Sequence, residues 1–153
     1  MARHNGNGRR QLISLLLSAA TVLFAAGCTG ATDPGGTLAL HRARWQARGI
    51  ASYRFDFHQT GFFITCTGPL VRLHVTAGVI DAATDQSTGQ PLPVNGCWPT
   101  IDQLFDRAAQ AEQVGSLTSI DYDPTLDYPT RIEFAGPPDA SGSDFVSNLQ
   151  PTP

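Results

Sequence analysis

Apolar residues recur along this chain at two different periods, and the points where the period changes mark its elements. Leu38, Trp45 and the small Ala43 and Ala47 lie at helical spacing. Thr37 is placed to cap that helix and Gly49 to stop it near Arg48. Tyr53, Phe55 and Phe57 then alternate with Arg54, Asp56 and His58, the period-two pattern of a strand with an aromatic inner face. After Gly61 the phase changes, since Phe62, Ile64 and Cys66 fall on the other parity. A bulge at Thr60-Gly61 would reconcile the two halves. With Thr67-Gly68-Pro69 as the turn, Val71, Leu73 and Val75 form a second strand in which Val75 lies opposite Thr60. Ala77-Gly78 turns the chain into a third strand over Val79–Thr84.

Asp85–Gly96 is polar and broken by prolines, and reads as a loop. Thr100 and Gln103 form a capping box for a second helix, whose stripe is Ile101, Leu104, Phe105, Ala108 and Ala111. Gly115 ends it. Leu117–Tyr122 (Ile120 and Tyr122 inward) and Thr130–Phe134 (Ile132 and Phe134 inward) make a further hairpin, with Asp144–Leu149 as a last strand. The order α-β-β-β-α-β-β(-β), with short links between strands, predicts an α+β domain with an antiparallel sheet of five to six strands and two helices.

The first 28 residues change the picture. Three arginines precede the apolar run Leu12–Ala26, which is followed by Gly27 and Cys28. The run is shorter than the roughly 20 residues a membrane helix needs. A basic start, a short apolar core and small residues before a cysteine describe an export signal. The ending AAGC resembles the lipoprotein box, in which the chain is cut before the cysteine and lipid is attached to it. The expected organisation is a signal peptide over 1–27, a lipid-anchored tether over 28–36, one domain over 37–149 and a loose end over 150–153. The expected address is the outer side of the cell membrane or the outer membrane, with the membrane contacted through the lipid on Cys28.

Charge and cysteines refine this. The chain has 10 basic residues, all arginine, against 13 acidic ones. Three of the arginines lie in the signal, so the domain is acidic and unsuited to nucleic acid. With Cys28 lipidated, Cys66 and Cys97 are left as an even pair in an oxidising compartment, where a disulfide is the expectation and two buried thiols the competing reading.

Several segments carry a likeness. Trp45, Gly49-Ile50 and Tyr53 at the first helix exit, Ile101-Asp102-Gln103-Leu104-Phe105 in the second helix, and Asp121-Tyr122-Asp123-Pro124 through Tyr128-Pro129 in the hairpin resemble a family of uncharacterised bacterial lipoproteins. That resemblance covers roughly Leu38–Leu149 and implies an exported, anchored domain of unknown function, with no catalytic residues to carry over. Asp127 stands where the family tends to place glycine before Tyr-Pro; aspartate tolerates the left-handed conformation better than most residues.

Candidate chemistry is thin. Asp121, Asp123 and Asp127 match positions 1, 3 and 7 of a calcium loop, but Leu126 and Ile132 occupy the positions that need glycine and glutamate. A proline-set turn with aspartates capping amides is the better account. Asp56, His58, Arg72 and His74 would share the outer sheet face, with the two histidines offset along their strands. The basic face of the first helix (His41, Arg42, Arg44, Arg48) reads as solvated. No nucleophile motif, phosphate loop or cofactor fingerprint is present, so neither cofactor nor metal is expected. Phe63, Trp98 and Tyr128 sit at bends, loop edges or turns and form the candidate binding surface, with packing under the loops around the disulfide as the competing and favoured reading. The function these observations favour is a non-catalytic binding or interaction module of the envelope with a protein or small-molecule partner. A small envelope hydrolase and a purely structural component are the alternatives.

Overall fold

The computed structural model describes residues 34–61, 70–136 and 141–153. Among these residues two helices and seven strands follow in the order α1 (Pro34–Ala47), β1 (Tyr53–Gly61), β2 (Val71–Thr76), β3 (Val79–Asp85), β4 (Pro91–Leu92), α2 (Ile101–Gln113), β5 (Leu117–Tyr122), β6 (Pro129–Phe134) and β7 (Gly142–Pro151). The strands form one antiparallel sheet in the order β4-β3-β2-β1-β7-β6-β5. The α+β class is as the periodicity predicts, but the sheet has seven strands where five or six were expected. The extra one is β4, inside the stretch expected to be a loop. Asp85 closes that turn by accepting bonds from the Ser87 and Thr88 amides, which brings Pro91 and Leu92 back against Thr84 and Ala83. A strand of two residues has no readable alternation.

β1 lies centrally, between β2 and β7, and its aromatic face is the heart of the core. Tyr53, Phe55 and Phe57 are buried together with Val71, Leu73 and Val75 of β2. Trp45 of α1 and Ile101, Leu104, Phe105 and Ala108 of α2 cover them from one side. Each large apolar side chain buried this fully contributes about 1.5–3 kcal/mol. The five-residue stripe predicted for α2 is buried throughout, and the Thr100–Gln103 capping box is present in both directions. Gly49 and Gly115 end their helices with φ of +64° and +70°.

Three local expectations are corrected. α1 begins at Pro34, three residues ahead of Thr37, because proline is well suited to a first helical turn where its missing N–H is not needed. Val75 pairs with Tyr53 rather than Thr60, because the β1–β2 pairs run only from Tyr53–Val75 to Phe57–Val71, and β1 continues beyond Phe57 against β7. The β1–β7 register runs without a break through Thr60 and Gly61, so the bulge is not there. It falls instead opposite Arg54–Asp56, where Asn148 at φ +55° inserts an extra residue into β7. That insertion lets Val146 and Leu149, three apart, both face the core. Gly61 is demanded by proximity: a Cβ there would stand 2.1 Å from the Ser141 carbonyl oxygen. The phase change expected at Phe62, Ile64 and Cys66 lies outside the described residues. No helix among the described residues is long and apolar enough to cross a membrane.

Candidate functional site

The aromatic inner face of β1 ends in a polar residue. Gln59 continues the inward phase of Tyr53, Phe55 and Phe57, and pairs across the sheet with Asp144 of β7. Asp144 is also inward and only 3% exposed. The Gln59 amide donates to Asp144 Oδ1 at 2.6 Å, and Arg107 of α2 donates to Oδ2 at 3.2 Å. A buried carboxylate with a charged partner and a second hydrogen bond is stable where a lone one is not. The Gln59 Oε1 atom is buried and has no hydrogen-bond partner among the described residues.

This cluster lines a cleft of about 560 Å³ between the C-terminal half of α2 and the ends of β1, β6 and β7. Its walls include Ala111, Val114, Phe134 and Ala135. Val114, at the helix C-cap, is 66% exposed on the rim. A mostly apolar wall over a few convergent polar groups is the usual anatomy of a small-molecule site. Sequence reading did not single out Gln59, Arg107 or Asp144. The available signal was that Gln59 keeps the inward phase of β1 and that Arg107 borders the α2 stripe, one turn from both Leu104 and Ala111.

A second polar cluster joins α1 to the β5–β6 turn. Asp127, at φ +64°, accepts from His41 Nδ1 and Arg48, each at 3.0 Å, with Arg44 at 3.6 Å. Arg48 also donates to the Thr125 carbonyl oxygen. The Arg48 hydrogen bond is the largest influence holding the Asp127 carboxyl below the usual range, ahead of the opposing effect of burial; His41 and the neighbouring arginine charges add to it. The His41 ring stacks on Tyr122 with centroids 3.8 Å apart. Arg42 bonds Asp106 of α2 at 2.6 Å. The basic face of α1, expected to be solvated, is therefore largely engaged in the contacts that hold the helix down. The turn itself is the proline-set kind: Asp123 Oδ1 accepts from the Thr125 and Leu126 amides, and so is directed at backbone.

On the outer sheet face Asp56 is buried and bonded by both nitrogens of an Arg72 fork, at 2.7 and 2.9 Å, and by Asn148 at 2.8 Å. Burial pushes its carboxyl up, and these bonds outweigh it, leaving the net shift downward. His74 pairs with Asp81 at 2.7 Å, while His58 stacks on Phe145. The two histidines stay apart, His74 lying opposite Arg54. Among the described residues, no group of three or more metal-ligating side chains is close enough to hold an ion.

The three aromatics predicted to form a binding surface are placed differently from one another. Tyr128 is 5% exposed and packs edge-on to Trp45 within the core. Trp98 is half-buried against the core and lines a smaller cleft of about 270 Å³ with Val79, Val94 and Gln103. Phe63 lies outside the described residues. Cys97 is half-buried and is not free; Cys66 and Cys28 lie outside the described residues.

Two helices packed on one face of an antiparallel sheet, with a cleft at one end of the layer between them, define an α+β domain. The chain belongs to a family of unknown function, DUF6174, whose pattern matches residues 37–150. No curated protein and no solved structure matches it.

Proposed function

We propose that this chain is a lipid-anchored binding module of the cell envelope, working outside the cell membrane and without catalysis. The observation that carries the binding assignment is the 560 Å³ cleft, with apolar walls converging on the Gln59–Asp144–Arg107 cluster. Asp144 accepts from both Gln59 and Arg107, which suits it to hold structure and orient a ligand and makes it a poor base. Binding is therefore favoured over an envelope hydrolase, and a cleft of this size over a purely structural role.

The address rests on the signal-like stretch Leu12–Ala26 and on Cys28 as the lipid attachment site. Cells fed a fatty-acid analogue are expected to label the wild-type chain and not Cys28→Ser; equal labelling of both would remove the anchor. We further assign Cys66 and Cys97 as a disulfide, supported by the bonded state of Cys97 and the exported address. Non-reducing mass spectrometry of the exported protein is expected to recover the Cys66 and Cys97 peptides joined, and two alkylatable thiols would overturn the pairing.

A further inference from the structure

We propose that the cleft takes an uncharged aliphatic amide, with its chain along the α2 wall and its amide head at the Asp144 cluster. This rests on the binding-module reading and names the ligand class for the same site.

Three features of the cleft select that class. The walls favour hydrocarbon, since Ala111, Val114 and Phe134 face it and Val114 stays 66% exposed on the rim. Covering such surface with an alkyl chain removes it from water on both partners. Among the described residues lining the cleft the charges cancel, because the Asp144 carboxylate is paired with Arg107 at 3.2 Å. A carboxylate head would be drawn to Arg107 but would confront Asp144, and an ammonium head would meet the reverse pair. Either ion would be desolvated without a free partner of opposite sign. The hydrogen-bonding capacity left over is mixed. Gln59, which lines the cleft, has in Oε1 a buried acceptor with no donor among the described residues, and the Arg107 guanidinium, a third exposed, has N–H groups beyond the one directed at Asp144. A primary amide brings both complements in one uncharged group, N–H for the acceptor and C=O for the guanidinium.

The test uses the full-length exported protein in phosphatidylcholine nanodiscs. A diazirine-bearing octanamide is photolysed in place, and the labelled residues are located by mass spectrometry. Octanamide, octanoate and octylammonium then compete at equal chain length. Labelling is expected at the peptides carrying Val114 and Phe134, and octanamide is expected to displace it on the order of tenfold better than either ion. Preference for octanoate or octylammonium, with the label still in the cleft, would overturn the amide assignment and leave the binding module standing. Absence of cleft labelling by the octanamide probe, and by octanoate and octylammonium probes bearing the same diazirine, would overturn both.

Two variants sharpen the reading. Asp144→Asn leaves Arg107 without its counter-charge, so octanoate should overtake octanamide; an unchanged order would contradict the account of cancelled charges. Should that variant fail to fold, Val114→Asp places a charge on the exposed rim with no core contact to lose. It should cut octanamide labelling on the order of tenfold, and full retention would overturn the proposed path of the chain.

Discussion

Arg48 donates to Asp127 Oδ2 at 3.0 Å, and this bond fixes the C-terminal end of α1 to the turn between β5 and β6. The relationship spans 79 positions of sequence and brings together two segments that share no hydrogen-bonded strand. Removing the carboxylate should free the end of α1. Asp127→Ala is expected to cost about 1–2 kcal/mol, the range for charge-assisted bonds whose arginine partners are a third or more exposed. Asp127→Asn keeps a residue suited to φ +64° and should lose less. Urea midpoints of the two variants decide the matter. An alanine variant as stable as the wild type would mean the cluster is not what holds α1.

The same carboxylates predict the acid limb of the stability curve. Asp127 is held low chiefly by the Arg48 bond, and Asp56 because its Arg72 and Asn148 bonds outweigh burial. A depressed folded value means the stabilisation is fully present above the unfolded value near about 4, and is lost as pH falls through the folded value. Stability should therefore hold, as far as these two groups go, from neutrality down to about pH 5 and decline below about pH 4. The double variant Asp56→Asn, Asp127→Asn should start lower at neutral pH and fall less steeply in acid. Parallel curves for variant and wild type would show that other groups drive acid unfolding.

Local signals in the sequence proved reliable where one turn or one face was enough. Thr100 and Gln103 cap α2 because the capping box is closed within four residues. The aromatic phase of β1 and the stripe of α2 meet because each is amphipathic on its own. Asp127 adopts the left-handed conformation its place before Tyr128-Pro129 demands. The register of β2 on β1 was misjudged because it depends on how much chain joins them. β4 was missed because two residues give no period. The cleft was invisible for a related reason: Gln59, Arg107 and Asp144 come from three elements and are ordinary singly. Only the packing of α2 on the sheet, which lets Arg107 reach Asp144, makes them one group. Tyr128 misled in the opposite direction, since its place in a turn says nothing of its burial against Trp45.

Gly61 should be intolerant of any side chain. A Cβ there would lie 2.1 Å from Ser141 O and 2.5 Å from Gly142 Cα, both backbone, and φ is +101°. Relief requires the ends of β1 and β7 to part, at the margin of the cleft. Gly61→Ala is expected to cost about 2–4 kcal/mol, combining overpacking with backbone strain. Gly78→Ala is the matched control: φ is +78° but no atom lies within 4 Å, so about 1 kcal/mol is expected. Thermal midpoints that fall equally for the two would mean that close approach adds nothing beyond the dihedral strain.

Tyr53 joins core to helix cap. Its hydroxyl oxygen accepts the Ile101 N–H at 3.0 Å, while Thr100 Oγ1 accepts from Gln103 N, so two amides of the first turn of α2 are satisfied by side chains. Tyr53→Phe leaves the Ile101 amide buried and unpaired, an expected loss of about 1–3 kcal/mol; Thr100→Ala should cost about 1 kcal/mol. Because both act on one terminus, the double variant should depart from the sum. A pH signature separates the tyrosine from a simple packing loss. Burial, the largest influence, pushes the Tyr53 phenol up to about 12. A raised folded value means its stabilisation is complete below the unfolded value near about 10 and disappears as pH climbs through the folded one. Between those limits wild-type stability should fall more steeply than that of Tyr53→Phe. Identical alkaline slopes in urea titrations would show that the phenol keeps ordinary access to water.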